Sequence, residues 1–360
     1  AVIFAVSAAA LCIIYGAVFA AGFYPGITSP DSVAQIEQTF TGVYSNHHPF
    51  WHTMIIQACL RLGTGLFGDI NTGVCIYSVL QIMVMGCSFG YVIMTLYQMK
   101  LSYGLIIPCF LYFAVMPYHI FYSFTMWKDV MFGSAMAVFI TALFRIMAGI
   151  PYHLTHKAKG KVRCGAANMI ILTVSAFGTC LLRSNGQIAF AVAFIAAIFV
   201  LGIRYWKVLL VLLAVLIATI ALKYPFLSAV NVTQPDTIES LSIPAQQIAR
   251  IVADGGELTD EQKELLSHIV DVDRVADTYT WYTSDPIKDL VREKNDQAYI
   301  SEHRAEFVRL YLEMALQHPA GFAKGWIDAT KGYFNGGYGY RNWTLVNENS
   351  YGIVRAPMSE

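Results

Sequence analysis

Asp31 stands in a Pro/Gly/Ser frame, YPGITSPDS, and is followed by His47, His48 and His52 in TGVYSNHHPFWHT. Farther along come Lys128 and Asp129 in MWKDVMF, then Arg183 and Asn185 in LLRSNGQ. Each group lies where a long apolar run gives way to polar residues. A carboxylate beside two fixed cations suits a site that must bind a phosphate-bearing lipid and activate a hydroxyl. Arg offers phosphate oxygens a planar fork of donors, and Lys a compact positive charge.

Each of these residues also has a plainer use. Asp31 fits the N-cap of a helix through residues 32–40, since Asp is a favoured cap. Lys128 beside Asp129 is a ready-made neutral pair at a helix start, and Lys or Arg at the end of a span often only reaches for headgroups. His47 and His48 fit a hydrogen-bonded corner before Pro49. His48 and His52, four apart, would present two ligands on one helical face to a metal, but no acid follows at ligand spacing.

The elements that must position these residues follow from composition. The chain is 56% hydrophobic and 13% charged, against about 25% charged in an average soluble domain, so it reads as a multi-span membrane protein. Residues 1–224 hold 12 Lys/Arg and 4 Asp/Glu, whereas residues 225–360 hold 12 and 20. The halves therefore carry +8 and −8. We expect a membrane domain, 1–224, with a first outer loop at 23–71, and a soluble domain, 225–360. All seven cysteines lie in the first half, with neither disulfide framework nor zinc spacing.

A bilayer core of roughly 30 Å calls for about 20 apolar residues. Seven segments meet that measure approximately: 1–22, 72–97, 103–122, 129–149, 167–182, 187–203 and 208–224. The first is read as a span rather than a signal peptide, because it exceeds an h-region and lacks a basic flank; the natural N-terminus is expected to lie farther upstream. Segment 50–67, broken by Arg61, Gly63 and Gly65, reads as a helix at the interface or re-entering. Alternate connections place Lys100, Arg145, Lys157, Lys159, Lys161, Arg163, Arg204 and Lys207 on one side. The other receives only Arg61, Lys128, Arg183 and Lys223. The bias puts the first side in the cytoplasm, so Asp31, His47, His48, Lys128, Arg183 and the whole C-terminal domain fall outside. The basic loop 153–163 is read as topology.

The motifs YPGITSPDS, TGVYSNHHPFWHT, MWKDVMF, LLRSNGQ and SIPAQQIAR resemble those of a bacterial multi-span family of unknown function placed in the GT-C glycosyltransferase superfamily. The similarity covers nearly the whole chain. It implies a mainly α, GT-C-like polytopic protein of the bacterial plasma membrane that moves a sugar from a polyprenyl-phosphate donor to a glycan or lipid acceptor at the outer face. It further implies that Asp31 acts as base or orienting group for the acceptor. The common motif pairs two acids, whereas Ser32 follows Asp31 here, which leaves Glu37 or Asp129 to supply a second carboxylate if one is needed. An inverting transfer needs at least one base and positive charge for the departing phosphate. Lys128 and Arg183 are the expected phosphate ligands, with Asn185 orienting and His47 or His48 assisting. No cofactor is certain from the sequence, and a divalent metal stays open.

The C-terminal half reads as mainly helical. Pro244 lies in the first turn of a helix carrying Gln246, Gln247 and Arg250. Thr259 to Gln262 fits a capping box, and Phe307, Tyr311, Met314 and Ala315 form a stripe in a helix over 301–317 ended by His318-Pro319. Arg250 is either a lid residue reaching substrate or an ordinary surface arginine. Phe334 to Trp343 sets aromatics among glycines, suited to a sugar face or an interfacial belt. No nucleotide or nucleic-acid signature is present. The competing functions are a lipid or solute transporter or flippase, with Asp31, Lys128 and Arg183 lining a pathway, and a non-catalytic envelope assembly protein.

Overall fold

The computed structural model describes residues 2–149, 165–333 and 351–354. The expected loop 153–163 and the stretch 334–343 lie outside those residues. The chain is mainly helical and divides into two compact units, residues 2–234 with 351–354, and residues 235–333. The division falls at Gln234 rather than at residue 224. Leu227 and Val232 pack with Phe50, and Ser45 pairs with Thr233, which holds residues 225–234 to the first unit.

In that unit the elements run α1 (Val2–Gly22), β1 (Ile27–Thr28), α2 (Pro30–Thr41), α3 (Phe50–Phe67), α4 (Ile70–Gln98), α5 (Tyr103–Val115) and α6 (Pro117–Ser123). They continue with β2 (Thr125–Met126), α7 (Lys128–Ala148), α8 (Ala166–Leu181), α9 (Gly186–Leu201), α10 (Trp206–Lys223) and α11 (Pro225–Ala229). All seven expected segments are helical. Among the described residues, however, four helices are long and apolar enough to cross a membrane: Val2–Gly22, Ile70–Gln98, Lys128–Ala148 and Trp206–Ala229. A fifth appears if α5 and α6, bent by 52°, count as one span. Helices α8 and α9 have 16 residues each and reach only ~24 Å, short of the hydrocarbon core.

α4 is the central post. Its Gly86 and Gly90 face α1 so closely that a Cβ at Gly90 would lie 2.9 Å from the Ala8 Cβ, and one at Gly86 2.5 Å from the Cys12 Sγ. Such a small-residue seam lets two helices associate by packing where water supplies no driving force. A second core joins α4, α7, α8, α9 and α10 through Met94, Phe139, Leu172, Phe190 and Leu212. Arg145, expected as a charge in a cytoplasmic connection, is instead fully buried in α7, where its guanidinium donates to Thr95 and lies over the Tyr91 ring.

The second unit is a small helical domain, α12 (Thr237–Ser240), α13 (Ser242–Ala253), α14 (Asp260–Ser267), α15 (Val272–Thr278), α16 (Asp285–Lys294), α17 (Gln297–Glu302), α18 (Arg304–Gln317) and α19 (Pro319–Thr330). The capping box at Thr259 and Gln262 forms. Met314 is buried in the core, with Phe307, Tyr311 and Ala315 packed against it.

Candidate functional site

The site is assembled by two very short strands. β1 and β2 pair in parallel, Ile27 against Thr125 and Thr28 against Met126, and each runs directly into a helix. The starts of α2 and α7 are thereby set side by side. Gly26 makes the approach possible: its φ is 134°, and a Cβ there would fall 2.1 Å from the Ser78 Oγ on α4. That hydroxyl donates to the Pro25 carbonyl at 3.0 Å.

The cap of α2 differs from the sequence expectation in a useful way. Ser29 takes the cap, with Pro30 in the first turn and a reciprocal box to Ser32. Asp31 is left in the first turn with its carboxylate free to reach outward, and a negative charge there is favoured by the helix dipole. Lys128 opens α7, where a positive charge is locally unfavourable by about 0.3–1 kcal/mol. Asp31 offsets that cost: the Lys128 Nζ donates to Asp31 Oδ2. Lys128 also donates to His48 Nδ1 at 3.2 Å, which lies 3.9 Å from the same carboxylate oxygen. The Asp31 side chain is 37% exposed and that of Lys128 16%, so the pair is supported from below and open above.

Electrostatics keep Asp31 ionised. Burial pushes its pKa up, but the Lys128 charge and hydrogen bond outweigh burial, with His48 and His47 adding to the effect, so it lies below the usual carboxylate range. His47 is exposed and meets His48 edge to face, with ring centroids 4.7 Å apart. The corner carrying both is pinned by Asn46, whose backbone N–H donates to the Thr233 carbonyl at 2.7 Å and whose side-chain oxygen accepts from the Phe50 N–H at 3.2 Å.

One residue beyond Lys128, Asp129 accepts from Arg183 in the turn between α8 and α9. Arg183 also lies over the Phe132 ring, 5.7 Å from its centroid. Gly186 lets that turn close, because a Cβ there would come within 2.0 Å of the Thr179 carbonyl oxygen. Asn185 caps the start of α9 with its side chain exposed. The structure thus brings Asp31, His48, Lys128, Asp129 and Arg183 into two adjoining ion pairs. It does not bring Glu37 to them: that residue is on the exposed side of α2, ~9 Å along the axis from Asp31. Arg250 belongs to the second unit, clamped by Asp254 and Asp328 at 2.7 Å each.

A metal pair at His48 and His52 does not form. His52 is fully buried, with Nδ1 3.0 Å from Gln35 Oε1 and Nε2 2.6 Å from the Tyr77 hydroxyl. Among the described residues no group of three or more His, Cys, Asp or Glu is gathered as a metal would need.

A model of the DUF6020 family, a family of unknown function, matches residues 37–357. The chain belongs to the DUF6020 family. No curated protein matches it, and neither does any solved structure. The matched span of this DUF6020 chain takes in His48, Lys128 and Arg183 and begins after Asp31. Sequence reasoning missed one cation beside the candidate site: Lys223, at the end of α10, is 4% exposed and donates to the Ser184 carbonyl at 2.9 Å. It anchors the Arg183 turn. Its only trace in the sequence is a lysine closing an apolar run.

Proposed function

We propose that the protein is a membrane glycosyltransferase that moves a sugar from a polyprenyl-phosphate donor to a glycan or lipid acceptor at the outer face of a bacterial plasma membrane. The observation that carries this reading is the contact of Asp31 with Lys128, beside Arg183 held through Asp129. The acceptor O–H proton passes to Asp31 as the acceptor oxygen bonds to the anomeric carbon, and the bond from that carbon to the lipid phosphate oxygen breaks. The phosphate leaves with the electron pair and is neutralised by Lys128 and Arg183.

Both cations begin paired with carboxylates, so an entering phosphate competes with Asp31 and Asp129 for them. Protonation of Asp31 then removes the partner of Lys128 and releases the ammonium to the phosphate as negative charge develops there. His48, next to both, orients the acceptor or donates to the phosphate. The GT-C resemblance supports the same assignment. The arrangement that fits is seven crossings, α8 and α9 included, with residues 23–71 and the C-terminal unit outside, as the excess of basic residues on the other side favours.

The test is sugar transfer by the purified protein in lipid nanodiscs, from radiolabelled polyprenyl-phosphate sugars to cell-envelope acceptors. Asp31→Asn should lower the rate by roughly 10²–10⁴-fold with expression and folding intact. Full turnover by that variant removes Asp31 from the mechanism. Movement of unaltered lipid across the bilayer, with no sugar transferred, would make the protein a carrier.

A further inference from the structure

Directly behind the Asp31 pair runs a chain of polar side chains sealed from solvent. Gln35, His52, Thr53, Tyr77 and Gln81 are each 1% exposed or less. Polar groups so placed are costly unless every one is satisfied, and apolar residues of the same volume would carry no such requirement. Gln35 meets Thr53 at 2.8 Å and His52 at 3.0 Å, His52 meets Tyr77 at 2.6 Å, and the Tyr77 hydroxyl donates to Gln81 Oε1 at 2.9 Å. The Gln81 amide then donates to the carbonyls of Tyr122, Ser123 and Thr125 at 2.8, 3.3 and 2.6 Å.

The spacing ties this chain to the site. Gln35 is one helical turn after Asp31, and His52 is four residues after His48. Thr125 is three residues before Lys128. Each of the three groups that meet at the surface therefore stands within a turn of a residue anchored below it.

The protons in the chain can be assigned. Three carbonyls fix the Gln81 NH2, so its Oε1 must take the Tyr77 hydroxyl proton. The Tyr77 oxygen is left to accept, and His52 supplies that hydrogen from Nε2. Burial holds the His52 pKa down at about 3, so the ring is neutral and Nδ1 carries a lone pair. Gln35 must then turn its NH2 to Nδ1 and its oxygen to the Thr53 hydroxyl, a half-turn of a side-chain amide; the hydroxyl gives up its 3.4 Å bond to the Pro49 carbonyl, which keeps the His52 and Thr53 backbone donors.

We infer that the chain Gln35, His52, Tyr77, Gln81 is a positioning device that sets the geometry of Asp31, His48 and Lys128, with His52 locked as the Nε2–H tautomer. These are positioning residues; none of them touches substrate. The inference rests on the proposed function for its consequence in transfer, whereas its test reads the site directly.

The test uses the full chain in nanodiscs without sugar donor. Histidine labelled with ¹⁵N reports the His52 tautomer, assigned by loss of the signal in His52→Gln. Aspartate labelled with ¹³C at the carboxyl reports the titration of Asp31, assigned in Asp31→Asn. The parent should show a neutral Nε2–H ring unchanged between pH 8 and pH 5. In Tyr77→Phe, which removes only the hydroxyl, the Asp31 titration should move up by about one unit, a tenfold change in proton affinity. Thr53→Val, which cuts the far end of the chain, should move it the same way by less. An Nδ1–H ring in the parent overturns the inference whatever the variants do. So does a folded Tyr77→Phe, or a folded Thr53→Val where Tyr77→Phe fails to fold, whose Asp31 titrates as in the parent. A parent that passes this test and transfers no sugar would overturn the proposed function alone.

Discussion

Charges in the two units are handled in opposite ways. In the helical unit after residue 234, three cations are each held by two or more carboxylates: Arg292 meets Asp236, Glu239 and Asp289, Lys288 meets Glu239 and Asp285, and Arg250 meets Asp254 and Asp328. In the first unit Lys128 meets one carboxylate and a histidine, and Arg183 one carboxylate. Those two cations stand beside the amino-terminal ends of helices, where the macrodipole adds further positive potential. A cation shared by several carboxylates has its charge already neutralised; a singly paired one at such a place can exchange its carboxylate for a phosphate. The difference separates ion pairs that hold a fold from ion pairs that can open.

The largest test of that contrast is charge removal on each side. Lys128→Met should cut sugar transfer by roughly 10²–10³-fold while changing the melting temperature little, because Asp31 is partly exposed and can be solvated. Arg250→Met should do the reverse. It takes away one of the two cations on Asp328, which is 13% exposed and keeps Lys331, and should destabilise the second unit by about 1.5–3 kcal/mol, with transfer per folded molecule unchanged. Thermal unfolding and radiolabel transfer on the same samples decide it; equal losses in both variants would erase the distinction.

A middle-sized effect concerns acid. His52 is held neutral in the folded protein with its pKa near 3, whereas in the unfolded chain it titrates near 6.5. The unfolded state therefore binds the extra proton first. Stability is fully present above about pH 6.5 and falls by roughly 1.4 kcal/mol per pH unit below it, until the folded pKa is reached. Asp31 acts lower. Its depressed pKa gives stability that is present above about pH 4 and is lost as pH falls through the folded value. Melting curves from pH 7 to pH 5 should slope in the parent and flatten in His52→Gln.

The smallest effect belongs to the exposed pair of Arg309 and Glu313. Arg309→Ala should shift neither melting temperature nor transfer measurably, since solvent-exposed pairs of this kind often contribute nothing detectable. A clear loss of transfer would show that the second unit also holds working charges.

Residue type and spacing exposed some of this arrangement and hid the rest for physical reasons. Asp31, Lys128 and Arg183 stand out because a carboxylate and two cations fall on one side of the expected spans, and ionisable groups at membrane depth are costly. Helices α1, α4, α7 and α10 are legible as apolar runs of sufficient length. The pairing of β1 with β2 is not, since two residues per strand leave no period to detect. The polar chain behind the site is hidden as well: His52, Tyr77 and Gln81 look like ordinary members of α3 and α4 until folding places them nose to tail. Arg145 misleads because a basic residue near a helix end reads as a topological marker, and only tertiary packing reveals it as buried.

The two-residue strand pairing also bears on synthesis. Asp31 and Lys128 are 97 positions apart, so at about 5–20 residues per second the ribosome delivers the aspartate roughly 5–20 s ahead of its lysine. Throughout that interval α2 has neither β2 beside it nor an ammonium over its first turn. Helices α3 to α6 are synthesised before that partner arrives, and until then the carboxylate is a charge without its match.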